Sequence, residues 1–77
     1  MLDFELIKND GRLIEYRYFP EGKLDSGTIV MSVSGELISI EKALNDKHKR
    51  YAAHMVSRMR DFVNNNKFEP NGMIAWY

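Results

Sequence analysis

The residues of this sequence with the widest chemical repertoire are two histidines, His48 and His54, which lie six positions apart. Histidine pairs that bind a metal from one helix are spaced by three or four residues, so that both rings project from the same face. A spacing of six directs the two rings apart, and we predict no metal site. Asp61 and Arg50 fall near His54 at helical spacing, and we interpret these three as a surface charge cluster.

Nucleophiles and phosphate-binding motifs provide no stronger candidate. The chain contains no cysteine, which removes a thiolate nucleophile, a thiolate metal ligand and a disulfide framework. Its serines lack the strand-turn-helix context of a nucleophilic serine, and its five glycines are scattered at turns instead of gathered in a phosphate loop. We therefore predict no catalytic residue and no cofactor, and we expect that the protein is not an enzyme.

Glu5 and Glu15 are the remaining candidates for acid and base chemistry, which paired carboxylates perform when one of them is desolvated. The strand register preferred below places them opposite each other on the outer face of a sheet. Water and Arg17 would screen their repulsion there. We interpret both as solvated surface residues.

One long helix, predicted from about Asp46 to Lys67, positions most of the remaining polar side chains. Its apolar residues recur at steps of three and four and form a stripe that must lie on another layer. These residues are Ala52, Met55, Val56, Met59, Phe62 and Val63. Asn45 or Asp46 is the predicted N-cap, because a short oxygen-bearing side chain accepts the free amides of the first turn. The helix is expected to end near Asn66 or Lys67, ahead of a proline and a glycine.

The other side of this helix is basic, with six residues that could contact a partner: Lys47, Lys49, Arg50, His54, Arg58 and Arg60. Clustered cations are what phosphate contacts need, so nucleic-acid binding stays open as an alternative function. Three observations weaken it: the isoelectric point is near 6.7, Asp61 interrupts the basic side, and aromatic residues such as Tyr16 and Tyr18 fall on the predicted core side. Residues 1–41 carry a net charge of −4 and residues 42–77 a net charge of +4, so the two halves could also complement each other.

Four segments ahead of the helix alternate apolar and polar residues and are separated by turn residues, a pattern that predicts a β-meander. In the first hairpin we prefer a three-residue loop, Asn9 to Gly11, because it gathers the large apolar residues on one face. This register pairs Leu6 with Ile14, Phe4 with Tyr16 and Leu2 with Tyr18. A two-residue loop of Asp10 and Gly11 would instead place Lys8 opposite Leu13.

The second hairpin and the last strand complete the predicted sheet. A two-residue turn at Ser34 and Gly35 pairs Met31 with Ile38 and Ile29 with Ile40. A fifth strand is predicted from Met73 to Tyr77. Placing it beside strand one gives the order 5-1-2-3-4 and keeps all neighbours antiparallel, while a crossover beside strand four is the alternative. The predicted fold class is α+β, a two-layer, five-stranded mainly antiparallel sheet with one helix packed across one face.

A single helix leaves the other sheet face uncovered, and that face is predicted to carry four apolar residues: Ile7, Leu13, Val30 and Leu37. An exposed apolar patch is typical of a protein-binding or homodimer surface, and exposed edge strands are a second route to self-association. We therefore predict a small non-catalytic protein-interaction or regulatory module, with homodimerisation as one form of that interaction. The alternative function is nucleic-acid binding through the basic side of the helix.

Length and composition indicate a single globular domain spanning residues 1–77. The chain is 44% apolar, contains nine aromatic residues and is too short for a second core. Its first residues include an early acidic pair and no basic segment followed by an apolar run, so we expect no signal peptide. No apolar stretch approaches the roughly 18 residues that span a bilayer. We expect a cytoplasmic protein without a membrane partner.

Overall fold

The element order and the sheet order are as predicted. The computed structural model describes residues 1–76, which form five strands and one helix. The elements are β1 (Leu2–Asn9), β2 (Leu13–Pro20), β3 (Gly27–Ser32), β4 (Leu37–Glu41), α1 (Arg50–Asn65) and β5 (Asn71–Ile74). The sheet order is β4-β3-β2-β1-β5, every neighbouring pair is antiparallel, and α1 packs over β2 and β3. The α+β class and the position of the last strand beside β1 are confirmed.

The last strand begins two residues earlier than predicted. The carbonyl of Pro70 accepts the Leu6 amide at 2.8 Å, so pairing with β1 starts immediately ahead of Asn71. Gly72 permits the close approach, since a Cβ at this position would lie 2.8 Å from the ring of Phe4. β5 ends at Ile74, and Tyr77, the predicted end of the strand, lies outside the described residues.

The register of the first hairpin differs from both predicted alternatives. The pairs are Leu2 with Pro20, Phe4 with Tyr18, Leu6 with Tyr16 and, past a bulge at Ile7, Lys8 with Glu15. The preferred prediction was wrong by two residues. Because side chains alternate with a period of two, such a shift leaves each side chain on its predicted face. Leu2, Phe4, Ile14, Tyr16 and Tyr18 are all buried, and the predicted core face is therefore retained.

Asp10 explains why the loop lies one residue later in the chain than predicted, at residues 10–12. One carboxylate oxygen accepts the amides of Arg12 at 2.9 Å and Leu13 at 2.8 Å, and the Asp10 amide bonds to the Leu13 carbonyl. These contacts close the chain around a turn at residues 10–12. Hydrogen bonds from the two amides also lower the pKa of the Asp10 carboxyl group.

The second hairpin was predicted correctly at one pair and incorrectly at the other. Ile29 pairs with Ile40, as predicted, whereas Met31 pairs with Leu37, and Ile38 forms a bulge. The cause is a loop wider than the predicted two residues, in which the Ser32 amide donates to the Glu36 carbonyl at 2.8 Å.

The apolar stripe of α1 forms the second wall of the core, as predicted. Its buried residues are Ala52, Met55, Val56, Met59 and Phe62, and Val63 is partly buried. Phe62 packs against Phe4 and Tyr16 with ring centroids 5.5 to 5.8 Å apart. No helix within residues 1–76 is long and apolar enough to cross a membrane.

The helix begins at Arg50, four residues later than predicted, because Asp46 turns into the core. The side chain of Asp46 is only 2% exposed, and it accepts the amide of Tyr51 at 3.2 Å and that of Ala52 at 3.0 Å. Asp46 thus caps the first helical turn, the role predicted for it, from outside the helix. The intervening chain makes a turn that ends at Lys49, whose φ of 56° is left-handed.

The helix ends at Asn65, one to two residues before the predicted position. Asn66 has a left-handed φ of 50°, and the Lys67 amide donates to the Phe62 carbonyl at 3.0 Å. This pattern satisfies carbonyls of the last turn, and asparagine tolerates the left-handed conformation that it needs.

Candidate functional site

The predicted apolar patch on the outer sheet face does not form one surface. Leu13 and Val30 lie there on diagonal positions of β2 and β3, and both are partly buried. Ile7 lies in the bulge of β1 and is exposed. Leu37 pairs with the buried Met31, and paired residues share a face, so Leu37 belongs to the helix side.

Charged side chains occupy the centre of this outer face. Arg17 donates to Glu5 at 3.0 Å, and both side chains are exposed to solvent. Glu15 lies opposite Lys8 and Val30, so the predicted pairing of Glu5 with Glu15 is wrong. With Glu5 held by an arginine, this face presents neither a carboxylate pair nor a continuous apolar surface.

The six predicted basic residues divide into three groups. Lys47 and Lys49 lie in the loop before α1, not on the helix as predicted. On the helix, a step of four residues makes one row of Arg50, His54 and Arg58. Arg60 follows Arg58 by two residues, which is about 200° around the helix axis, and it therefore projects from another side.

Trp76 adds an aromatic ring to this row, which sequence periodicity did not predict. Its indole stacks on the imidazole of His54, with ring centroids 3.8 Å apart and planes inclined by 18°. It also meets Tyr51 edge-on, with centroids 5.3 Å apart. All three rings are half-buried. We name Arg50, Tyr51, His54, Arg58 and Trp76 the basic-aromatic cluster.

A carboxylate lies at the edge of this cluster. The Tyr51 hydroxyl donates to Glu21 at 2.8 Å, and the same carboxylate oxygen accepts from the N-terminal ammonium of Met1 at 2.7 Å. These two hydrogen bonds lower the pKa of the Glu21 carboxyl group, and the bond to Glu21 raises the pKa of the Tyr51 hydroxyl. Glu21 therefore places negative charge beside the basic row.

A shallow depression of about 270 Å³ lies at the start of α1, lined by Asn45, Asp46, Lys47, His48, Arg50 and Tyr51. Its acidic group is already engaged, because the Asp46 carboxylate holds the Tyr18 hydroxyl and two amides of the first helical turn. Those amides are consequently unavailable to an external anion. Within residues 1–76, no group of three or more histidine, aspartate or glutamate side chains is arranged so that it could bind a metal ion.

The edge of the sheet formed by β4 carries two exposed apolar side chains. We define the β4 edge as residues 37–41 with their outward backbone groups. Leu37 is 37% exposed and Ile38 is 50% exposed. Ile40 pairs with the buried Ile29, and strand alternation places Ile38 on the same helix side.

The backbone of the β4 edge has a strand partner on one side only, β3. Among the described residues, no hydrogen bond outside that ladder involves residues 37–41. The strand contains neither proline nor lysine, two residues with which proteins commonly protect an edge. Strand addition is thus available to an extended segment of another chain.

No protein-family model, curated protein or solved structure matches this chain. Two surfaces offer contacts to a partner, the β4 edge and the basic-aromatic cluster. The first offers apolar side chains with unpaired backbone groups, and the second offers cations beside stacked rings.

Proposed function

We propose that this protein is a small, non-catalytic protein-interaction or regulatory module that binds its partner along the β4 edge. The observation that carries the proposal is the combination of half-exposed Leu37 and Ile38 with a backbone that β3 pairs on one side only. An extended partner segment would gain main-chain hydrogen bonds from the strand and specificity from contacts with alternate side chains.

The polar groups of the chain support a binding role over a catalytic one. Asp46, the buried carboxylate, is held by three hydrogen bonds that stabilise the helix start. Glu5 is paired with Arg17, and Tyr16 and Tyr18 keep their protons because burial raises the pKa of each to about 12. The absence of cysteine is in keeping with a reducing compartment, and we propose a cytoplasmic location.

A synthetic strand peptide tests the proposed function. The probe alternates valine and threonine, with glutamate at its amino end and lysine at its carboxyl end. Antiparallel docking on β4 then sets lysine opposite Glu36 and glutamate opposite Lys42. We expect amide chemical-shift changes and slowed amide hydrogen exchange confined to residues 37–41 and their β3 neighbours.

A peptide with the two terminal charges exchanged is the matched control, and it should bind more weakly. The variant Ile38→Lys should lose binding of the first peptide, whereas Met73→Lys, at a similarly exposed position on β5, should retain it. The proposal fails if neither peptide alters the exchange of the β4 amides, or if both variants bind equally well.

The second candidate function is nucleic-acid binding, and the stack of Trp76 on His54 favours it. The sequence predicts that the aromatic residues lie on the core side, which argues against this function, whereas a half-buried indole lies in the row of Arg50 and Arg58. Bases stack on such rings while cations contact phosphate. The near-neutral charge of the whole chain and the position of Glu21 make it the weaker candidate.

Fluorescence of the single tryptophan tests this second function directly. Single-stranded and duplex oligonucleotides would be titrated at low and moderate salt, with quenching of Trp76 as the signal. Binding through the cluster should weaken with salt and with Arg58→Ala, but not with Arg60→Ala on another side of the helix. Equal effects of the two arginine variants, or no quenching at low salt, would eliminate the cluster as a nucleic-acid site.

A further inference from the structure

The chain beyond β5 is attached to the rest of the molecule through the side chain of Trp76. The indole stacks on the imidazole of His54, meets the ring of Tyr51 edge-on and borders the core. Within the described chain, neither Ala75 nor Trp76 takes part in a hydrogen bond or an ion pair outside the strand ladders. Contacts between rings therefore hold this segment on α1.

An imidazole that lies flat on an indole interacts differently in its two protonation states. The neutral ring contributes stacking and apolar contact, whereas the imidazolium is also a cation within about 6 Å of the negative face of the indole. Tryptophan binds such a cation better than the other aromatic residues do. Both rings are half-buried, so part of the His54 ring stays in contact with solvent and the desolvation penalty for its charged form is limited.

The charged groups that α1 presents to His54 act whether or not Trp76 is stacked. Arg50 and Arg58 lie one helical turn away on either side, and both disfavour a third positive charge in the row. Asp61 follows on the same side of the helix, roughly 10 Å from His54 along the axis, where solvent and salt screen it. Because these groups belong to the helix itself, their effects on His54 are unchanged when Trp76 docks.

The loop between β2 and β3 presents Glu21 to the same cluster. Its carboxylate accepts the Tyr51 hydroxyl at 2.8 Å and the Met1 ammonium at 2.7 Å, so its charge is already compensated and does not depend on Trp76. The described part of the docking segment contributes Ala75 and Trp76, which do not titrate. Docking of this part therefore brings to His54 an aromatic face and no charge.

We propose that His54 and Trp76 form a proton-sensitive clasp, which holds the chain beyond β5 on α1 more tightly when His54 is protonated. Histidine ordinarily titrates near about pH 6.5, so the clasp is tighter below that pH and looser above it. The clasp secures the chain that follows β5, the edge strand opposite β4, and it is independent of the proposed function. Acidification thereby strengthens the attachment of the end of the sheet to the helix.

Comparison of Trp76→Ala with the wild type at two pH values tests the clasp. Urea denaturation followed by far-ultraviolet circular dichroism gives the unfolding equilibrium constant of each protein at about pH 5.5 and about pH 8, on either side of the ordinary histidine titration. The contact of Trp76 with Tyr51 is the same at both pH values and cancels from the comparison. The substitution should raise the unfolding constant about two- to fivefold more at the lower pH.

Variants of the two histidines assign this pH difference. In a His54→Gln background, Trp76→Ala should raise the unfolding constant equally at both pH values. A His54→Phe background retains a stacked ring without a titrating group and should behave in the same way. A His48→Gln background removes the other histidine of the chain and should retain the full pH difference.

Fluorescence of the single tryptophan provides a measurement on the folded protein. An imidazolium quenches an indole on which it is stacked, so emission from Trp76 should fall as the pH is lowered through about 6.5. The wild type and His48→Gln should show this fall, and His54→Gln should not.

An equal effect of Trp76→Ala at the two pH values, or a larger effect at the higher pH, would overturn the clasp. A pH difference or a loss of emission that persists in His54→Gln would also overturn it, because another group would then be the source. These variants leave the β4 edge unchanged. Binding of the valine-threonine peptide therefore decides the proposed function separately, and its outcome does not alter the result for the clasp.

Discussion

The two edges of the sheet differ in how far the rest of the chain protects them. β5 has only four residues, follows Pro70 and carries Gly72 against the ring of Phe4. Beyond β5, Trp76 packs on the helix. β4 has five residues and exposes Leu37 and Ile38. The two edges therefore differ in strand length and in the residues that flank them.

A buried tyrosine anchors the chain beside each edge, and the two anchors differ in strength. Tyr16 donates a single hydrogen bond, 2.7 Å long, to the Glu69 carbonyl just ahead of β5. Tyr18 donates to Asp46 at 2.9 Å and accepts the Ala43 amide at 3.0 Å, just after β4. The open edge is thus the more firmly anchored one, which is what a rigid binding surface requires.

The largest loss of stability is expected when the anchor beside β4 is removed. Asp46→Ala leaves the Tyr18 hydroxyl and two helix amides without their acceptor in a buried site. We expect a loss of about 2 to 4 kcal/mol in the free energy of unfolding, measured by urea denaturation. Asp61→Ala, on the exposed side of α1, is the control and should change it by no more than about 0.5 kcal/mol. A loss below about 1 kcal/mol for Asp46→Ala would contradict the anchoring role.

Removing the hydroxyl of either tyrosine should lower the free energy of unfolding by a smaller amount, and by more for Tyr18 than for Tyr16. Tyr18→Phe leaves the buried Ala43 amide unsatisfied and takes a donor from Asp46, so we expect a loss of about 1 to 3 kcal/mol. Tyr16→Phe removes one hydrogen bond and should cost about 0.5 to 1.5 kcal/mol. Chemical denaturation of both variants under identical conditions would measure the difference. Equal losses would show that the two edges are anchored alike.

Alkaline pH should weaken both anchors. Burial raises the pKa of Tyr16 and Tyr18 to about 12, whereas an unfolded tyrosine titrates near about 10. The stability contributed by the neutral hydroxyls is therefore complete below about pH 10 and is lost as the pH rises through about 12. Urea denaturation at several alkaline pH values should show that the free energy of unfolding falls less steeply with pH in the two phenylalanine variants than in the wild type. A decline identical to that of the wild type would exclude these tyrosines as its source.

The smallest effect on stability is expected at the open edge itself. Ile38→Lys and Met73→Lys, with similar exposure on β4 and β5, should each change the free energy of unfolding by no more than about 0.5 kcal/mol. Thermal denaturation at low protein concentration would measure this. A large loss for Ile38→Lys alone would mean that Ile38 supports the fold of the monomer, and its use as a binding variant would then be unsound.

The sequence predicted the core face better than it predicted the pairs within it. Ile29 and Ile40 were paired correctly, but Leu6 was assigned to Ile14 and lies opposite Tyr16. The alternation of apolar residues is a property of each strand and survives a shift of two residues. The shift itself was decided by the Asp10 carboxylate, whose bonds to two amides close the loop one residue later in the chain than predicted.

The surfaces were harder to predict than the core, because a surface depends on several elements at once. The outer-face patch was wrong at Leu37, since a bulge at Ile38 moves Leu37 to the helix side. Fewer basic residues lie on the helix than predicted, because Asp46 turns into the core and accepts the Tyr18 hydroxyl, and the helix begins only at Arg50. Contacts between residues this far apart leave no periodic trace in the sequence.

The sequence by itself determined the element order, the apolar faces of the strands and the stripe of α1, because these follow from periodicities of two and 3.6 residues. Only the tertiary structure decided the hairpin registers, the start of the helix at Arg50, the stack of Trp76 on His54 and the openness of the β4 edge. Each of these depends on particular side chains meeting backbone or rings that are brought together by folding. Local sequence propensity contains no information about such tertiary contacts.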